Sequence, residues 1–216
     1  MSTCDLVLAS QSPRRREIIG LMGLADRLRV VRSNFEESLD KSLFKDPRDY
    51  AVANACGKAK EVAGRVLEQE YDGARDDEGS SPPRVVIGSD TIVDLDGVIL
   101  EKPRDDEHAF SMLSSLSGRR HLVHSGVALF TSKEGKQEPA ASFCETTEVL
   151  FASLSPDEIK TYIMTREPMD KSGSYGIQGA GGQFVRRVDG CYFNVMGFPM
   201  HAFSERLAAL IQNEKA

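Results

Sequence analysis

The chain has 216 residues, 40% apolar and 28% charged, with a formal net charge of −6. That length can bury one sizeable core, and the acidic balance excludes a general nucleic-acid or anionic-membrane binder, which needs a basic surface. No apolar run reaches the roughly 20 residues of a membrane span, and the N-terminus lacks the basic-then-apolar layout of a signal peptide.

Asp5-Leu6-Val7-Leu8-Ala9 reads as a first strand. Ser12 is a good N-cap and Pro13 a good first helical residue, so a helix starts there and runs to about Gly23. Arg14, Arg15 and Arg16 then fall in its first turn, where the helix dipole disfavours cations by up to about 1 kcal/mol each. Two readings stand side by side. The arginines are solvated and the cost is tolerated, or an anion sits there, since helix-start N–H groups and guanidinium forks both bind phosphate.

Val30-Val31 marks a second short strand, and Glu36-Glu37 leaves it as an acidic pair in a loop. Asp46-Pro47 starts a helix that runs to about Glu68, with Ala51, Ala55, Ala59, Val62 and Val66 as its apolar stripe and Lys58 bordering it. Glu70 to Pro83, rich in Asp, Gly, Ser and Pro, reads as an exposed, flexible surface loop.

Val85-Val86-Ile87 reads as a buried strand that ends at Gly88, with Ser89-Asp90-Thr91 behind it. A carboxylate at the end of a buried strand, beside a residue without a Cβ, is where α/β proteins place their chemistry. The turn signal Asp96-Gly97 folds Val98-Ile99-Leu100 back as a hairpin and carries Lys102 toward Asp90. Asp94-Leu95-Asp96-Gly97 matches the start of the D-x-D-G-T signature of haloacid-dehalogenase-type phosphatases. Val98 stands where that signature needs Thr, however, and turn chemistry already accounts for Asp96-Gly97.

Asp105 to Ser117 reads as an amphipathic helix ended by Gly118, with Ala109, Met112, Leu113 and Leu116 on one face. His121–Phe130 and Ser142–Phe151 read as strands. His121 and His124, three apart, face opposite sides and cannot share a metal. Ser155-Pro156-Asp157-Glu158 is a capping box. Five glycines between 173 and 182, interspersed with Tyr175, Ile177 and Gln178, suit a loop whose backbone approaches a ligand. Phe184–Val188 and Tyr192–Val195 flank a turn at Asp189-Gly190, and a last helix starts at Met200. Cys4, Cys56, Cys144 and Cys191 are scattered without a C-x-x-C, the usage of reduced thiols in a cytoplasmic protein rather than of disulfides or zinc.

Ser10-Gln11-Ser12-Pro13-Arg14-Arg15, Gly88-Ser89-Asp90-Thr91, Glu101-Lys102-Pro103, Glu167-Pro168-Met169-Asp170-Lys171 and Tyr175-Gly176-Ile177-Gln178-Gly179 stand in the order seen in the Maf family. The chain resembles these nucleoside triphosphate pyrophosphatases over nearly its whole length. The resemblance implies one domain over residues 1–216 with an α/β fold related to the inosine triphosphate pyrophosphatases: an elongated mixed sheet flanked by helices, with two lobes around a cleft. By the same resemblance Asp90 matches the proton acceptor, and Ser12, Arg15, Glu37, Lys58, Lys102 and Gln178 match the pocket. Arg14, Thr91 and Gln178 match three positions that separate subfamilies. Members preferring dTTP and UTP carry Arg, Thr and Gln there, whereas the 7-methyl-GTP branch carries Trp, Gln and Glu. Ser172 departs from the family's usual Ala.

The implied chemistry is hydrolysis of dTTP and UTP to the monophosphate and pyrophosphate, with CTP or modified pyrimidines as further substrates. Arg14, Arg15, Lys58 and Lys102 would face the phosphates. Mg²⁺ or Mn²⁺ would sit between phosphates and the carboxylates of Glu37 and Asp90. Lys102 would stabilise the transition state, and the Gln178 amide would suit the N3–O4 edge of uracil or thymine. Implied too are a cytoplasmic location and no nucleic-acid or membrane partner, with a homodimer allowed. The alternatives are a 7-methyl-GTP-type pyrophosphatase and a non-catalytic, nucleotide-sensing regulator of cell division.

Overall fold

The computed structural model describes residues 4–67, 84–131 and 138–213. The loop expected from Glu70 to Pro83 lies outside the described residues.

The fold is a mixed seven-stranded sheet with helices on both faces. Strand β1 (Asp5–Leu8) lies parallel to β2 (Leu28–Val30) on one side and to β3 (Arg84–Leu95) on the other. A short β4 (Val98–Leu100) pairs antiparallel with the far end of β3. The sheet then continues antiparallel through β5 (Arg120–Thr131), β6 (Ala141–Phe151) and β7 (Val185–Asp189).

The register of β3 creates the site. On one edge β3 pairs with β5 from Val85 to Asp94. On the other edge its ladder with β1 stops at Ile87, where Ala9 N donates to Ile87 O at 2.8 Å, and its ladder with β4 starts at Val93. Gly88 to Ile92 therefore face a gap between two partner strands, and such a break in a sheet is where α/β folds open a crevice.

Local chemistry accounts for most element boundaries. Helix α1 (Pro13–Ile19) is capped by Ser12, whose side chain accepts from Arg15 N. It runs on into a wider turn, Gly20–Leu24, in which Gly23 takes φ +75°. Helix α2 (Pro47–Val66) starts at Asp46, which accepts from Arg48 N at 2.9 Å. Asp96 and Gly97 adopt φ +54° and +83°, the left-handed pair of a tight hairpin, and Asp94 Oδ1 accepts from Gly97 N at 2.6 Å. Helix α3 (Asp106–Leu116) starts at Asp105, and α4 (Pro156–Met164) carries the expected capping box between Ser155 and Glu158.

Three expectations change. The strand expected to end at Gly88 runs on through Ser89-Asp90-Thr91 to Leu95, held by its ladder with β5, so Asp90 lies within β3 at the break in its other edge and not at a strand end. The stretch after the Asp189-Gly190 turn is a short helix, α5 (Tyr192–Met196), instead of a second extended arm. Its backbone is drawn inward by buried Asn194, whose amide donates to Val123 O and Thr147 Oγ1 at 3.0 Å each. The glycine-rich segment contains no α-helix but holds two 3₁₀ turns, at Ser172–Ser174 and Ala180–Phe184.

Helix α6 (Met200–Asn213) packs with α1 on one face of β1, β3 and β5, through Ile18, Ile19, Phe203 and Leu207. Helix α2 covers the opposite face with Ala55, Ala59, Val62 and Val66. A further core joins α3, α4, Tyr175 and Phe184 to β3, β5 and β6. Helix α2 sits unusually close because Gly88 and Gly126 lie beneath it. A Cβ on either would collide with the backbone carbonyl of Ala55 or Ala51.

His121 and His124 do face opposite sides. His121 Nε2 pairs with Tyr175 OH at 2.9 Å, while His124 contacts Thr146 and Asp94. Cys56, Cys144 and Cys191 hold free thiols. No helix among the described residues is long and apolar enough to cross a membrane.

Candidate active site

A cleft of about 690 Å³ opens at the break beside β3. Ser12, Arg14, Arg15, Glu37, Lys58, Asp90, Thr91, Lys102 and Gln178 all line it, although they come from six separate stretches of chain. Cations outnumber acids in the lining: Arg14, Arg15, Arg32, Lys58, Lys102 and Lys171 stand against Glu37, Asp90, Glu101 and Asp170. An acidic protein thus keeps a locally cationic cleft.

At its centre are three side chains. The Lys58 ammonium donates to Asp90 Oδ1 at 2.8 Å and pairs with Glu37 Oε2 at 2.7 Å. Lys58 and Asp90 are buried, and Glu37 is half exposed. The tight seat of α2 over Gly88 brings Lys58 to Asp90 at the unpaired edge of β3, so the lysine that borders an apolar stripe in sequence does not snorkel. Burial pushes the Asp90 carboxyl above its ordinary pKa, against the pull of Lys58 and Arg15, with the Glu37 charge adding to the rise. Burial would raise Glu37 as well, but Lys58, Lys102 and Arg15 together hold it below its ordinary value.

The first-turn arginines are held differently, and Arg15 is the buried one. Its guanidinium is buried and clamped by neutral oxygens: Nε donates to Gly197 O at 3.0 Å, Nη1 to Ser10 Oγ at 3.0 Å and Nη2 to Thr91 Oγ1 at 3.2 Å. Burial lowers its pKa, with Asp90 and Glu37 opposing. A rigid, desolvated cation at a helix start, with guanidinium hydrogens to spare, favours an anionic ligand. Thr91 reaches Ser125 Oγ at 2.9 Å and Gly197 O at 3.2 Å as well as Arg15, so it fixes the arginine fork. Arg14 lies at the rim, its Nη1 3.3 Å from Asp170 Oδ2, and Arg16 is exposed.

The hairpin returns Lys102 to the cleft as expected. Sequence reasoning gave no role to its neighbour Glu101. Tyr50 OH donates to Glu101 Oε1 at 2.7 Å, Lys41 pairs with Oε2 at 2.5 Å, and the Glu101 carbonyl accepts from Gly173 N at 3.2 Å. One residue thereby ties α2, the loop carrying Glu37 and the glycine-rich segment to the hairpin. Ser10 and Asp170 were missed in the same way. All three stand inside quoted motifs, but their partners are distant in sequence. Spacing did hold one usable signal: Tyr50, Asn54 and Lys58 recur every four residues, a polar line on one face of α2.

This is an α/β protein whose sheet opens at a broken strand edge into a crevice that combines a cationic wall with a buried carboxylate. The Maf-like protein family matches residues 5–210, and the chain belongs to that family. A Clostridium perfringens (strain SM101 / Type A) protein named dTTP/UTP pyrophosphatase is 43% identical over 203 residues, covering 94% of this chain and 95% of that protein. A Carboxydothermus hydrogenoformans protein of the same name is 41% identical over 195 residues, covering 90% and 92%. A human protein named "Probable bifunctional dTTP/UTP pyrophosphatase/methyltransferase protein" is 46% identical over 208 residues. The match covers 95% of this chain but only 32% of the human protein, so the chain spans about a third of that relative's length.

Proposed function

We propose that the protein is a nucleoside triphosphate pyrophosphatase that hydrolyses dTTP and UTP to the monophosphate and pyrophosphate. The observation that carries this reading is the buried Lys58–Asp90 pair at the floor of a cationic cleft beside the clamped guanidinium of Arg15. The names of relatives that align over nearly the whole chain support it.

Arg14, Arg15 and Lys102 hold the triphosphate, and the N–H groups at the start of α1 add neutral donors. Asp90 orients the attacking water and accepts its proton. A carboxyl raised by burial is a better base than an exposed one, because the ideal catalytic pKa lies nearer the working pH. Water attacks the α-phosphorus, the α–β phosphoanhydride breaks, and pyrophosphate leaves with its charge held by Lys102 and the arginines. Gln178 reads the N3–O4 edge of the pyrimidine with one amide donor and one acceptor.

Glu37 and Asp90 suit a divalent cation. Lys58 draws both carboxylates to one point. Among the described residues no group of three His, Cys, Asp or Glu side chains cages a metal on protein ligands alone. Mg²⁺ or Mn²⁺ is commonly held in such a way, by one or two carboxylates with substrate phosphates and water completing the shell. When bound, such a cation neutralises phosphate charge and acidifies nearby water.

The test is a panel of nucleoside triphosphates, 7-methyl-GTP included, incubated with and without Mg²⁺ and Mn²⁺ and scored for monophosphate plus pyrophosphate. Cation-dependent turnover highest on dTTP and UTP is expected. Preference for 7-methyl-GTP, or binding without pyrophosphate release, would overturn the reading.

A further inference from the structure

The glycine-rich loop that carries Gln178 is fastened to one carboxylate. Glu167 Oε2 accepts from Ala180 N at 2.9 Å, and Oε1 accepts from Gly181 N at 3.2 Å and from Tyr162 OH at 2.8 Å. The Tyr162 hydroxyl, on a buried ring of α4, accepts in turn from Gly176 N at 3.1 Å. The loop lies so close to these side chains that a Cβ on Gly179 would overlap the Glu167 carboxylate, and one on Gly181 would come within 2.6 Å of Tyr162 OH. Between the fastened ends, Gly179 N bonds back to Gly176 O at 3.2 Å, so Ile177 and Gln178 form the corner of a tight turn. Ile177 packs against two of the apolar cores, and Gln178 lines the cleft. Burial would raise the Glu167 carboxyl, but its hydrogen bonds from Tyr162, Ala180 and Gly181, with Lys171 nearby, hold it below the ordinary value as a charged acceptor.

We infer that Glu167 and Tyr162 are positioning residues for pyrimidine selection, which fix the backbone of the Gln178 turn so that the amide approaches the base from one direction and at one distance. This rests on the reading of Gln178 given above. An amide can flip its donor and acceptor. Uracil offers a donor at N3 and an acceptor at O4, and cytosine offers the reverse. Pinning the turn does not stop that flip, but it fixes where the amide sits, so the site adapts to fewer base edges than a Gln on a loose loop would.

The experiment measures kcat and KM on UTP and CTP for the wild type, Glu167→Gln, Tyr162→Phe and Gln178→Ala, with melting curves for each. Glu167→Gln replaces one acceptor with a donor facing the loop N–H groups, and Tyr162→Phe keeps the buried ring but removes the hydroxyl. Both are expected to lower the UTP-over-CTP ratio of kcat/KM about tenfold, the scale of one lost hydrogen-bonding match. Most of the change should be in KM for UTP. If Glu167→Gln fails to fold, Tyr162→Phe decides. An equal fall on both nucleotides in the two variants would make the pair merely structural and overturn the inference. So would an unchanged ratio in them while Gln178→Ala loses selectivity. If Gln178→Ala keeps the wild-type ratio, or the wild type shows no preference, the base-reading assignment itself fails.

Discussion

The Lys58 ammonium lies 2.8 Å from the Asp90 carboxylate, with both side chains buried. A helix and the interrupted edge of a strand have been pressed together to make this contact. It compensates a charge that burial penalises and holds that charge at the floor of the cleft, where the proposed mechanism uses it as the base.

Asp90→Asn removes the proposed base and keeps the shape. Turnover on UTP should fall by about 10²–10⁴-fold, the usual share of a positioned proton acceptor. Nucleotide affinity should change much less, because Arg14, Arg15 and Lys102 remain. Steady-state rates beside equilibrium binding of UTP check this, and wild-type-like turnover would remove Asp90 from the chemistry.

Lys58→Met leaves Asp90 buried with no ammonium beside it and Glu37 still nearby. Breaking a buried pair from one side costs about 3–5 kcal/mol, so urea unfolding at pH 8 should show a loss of that order. The loss should shrink as pH falls. A carboxyl whose folded pKa lies above its unfolded value binds more protons folded than unfolded, so stability declines as pH rises through that window. Adding Asp90→Asn to Lys58→Met should recover part of the stability. A Lys58→Met penalty that stays constant from pH 5 to pH 8 would contradict the account.

What could be read from sequence was local. The Ser12–Pro13 and Asp46–Pro47 starts, the Asp96-Gly97 turn and the Ser155 capping box all follow from interactions within four residues, and all occur. The hairpin even predicted the return of Lys102. By pattern alone Glu37 is a loop acid and Lys58 a snorkelling lysine, and only the family resemblance puts them in a pocket. Their burial and pairing depend on how closely α2 meets β3, which no spacing within either segment reveals. Glu101 and Glu167 stay silent for the same reason, because each takes its role from partners on other elements.

The closeness of α2 to the sheet can be tested through glycine. A Cβ at Gly88 would strike the Ala55 carbonyl, whereas a Cβ at Gly64, farther along α2, would meet nothing within 4 Å. Gly88→Ala should therefore destabilise by about 1–3 kcal/mol through overpacking. It should also cut turnover, because α2 and Lys58 are pushed from Asp90, and misplacements near 1 Å can cost roughly 10²-fold. Gly64→Ala should stabilise by about 0.5–1 kcal/mol through helix propensity alone. Denaturant unfolding and turnover for the pair should move in opposite directions for stability, with activity lost only at Gly88.

His121 sets a pH limit on stability that is separate from catalysis. It is buried against Phe151 and Tyr175, and burial pushes its pKa down to about 4 from the ordinary 6.5. The unfolded chain therefore takes up a proton at this site between roughly pH 6.5 and pH 4 while the folded protein does not. Stability is fully present above that window and is lost as pH falls through it, by about 3 kcal/mol in all. His121→Gln keeps a polar partner for Tyr175 and cannot titrate. His124, also lowered by burial though Asp94 opposes the shift, is common to both proteins and cancels from the comparison. Urea unfolding of both proteins at pH 7.5, 6 and 5 should show the wild type losing its advantage over His121→Gln as the pH drops. Parallel stability curves would mean that the imidazole reaches solvent and charges in the folded state.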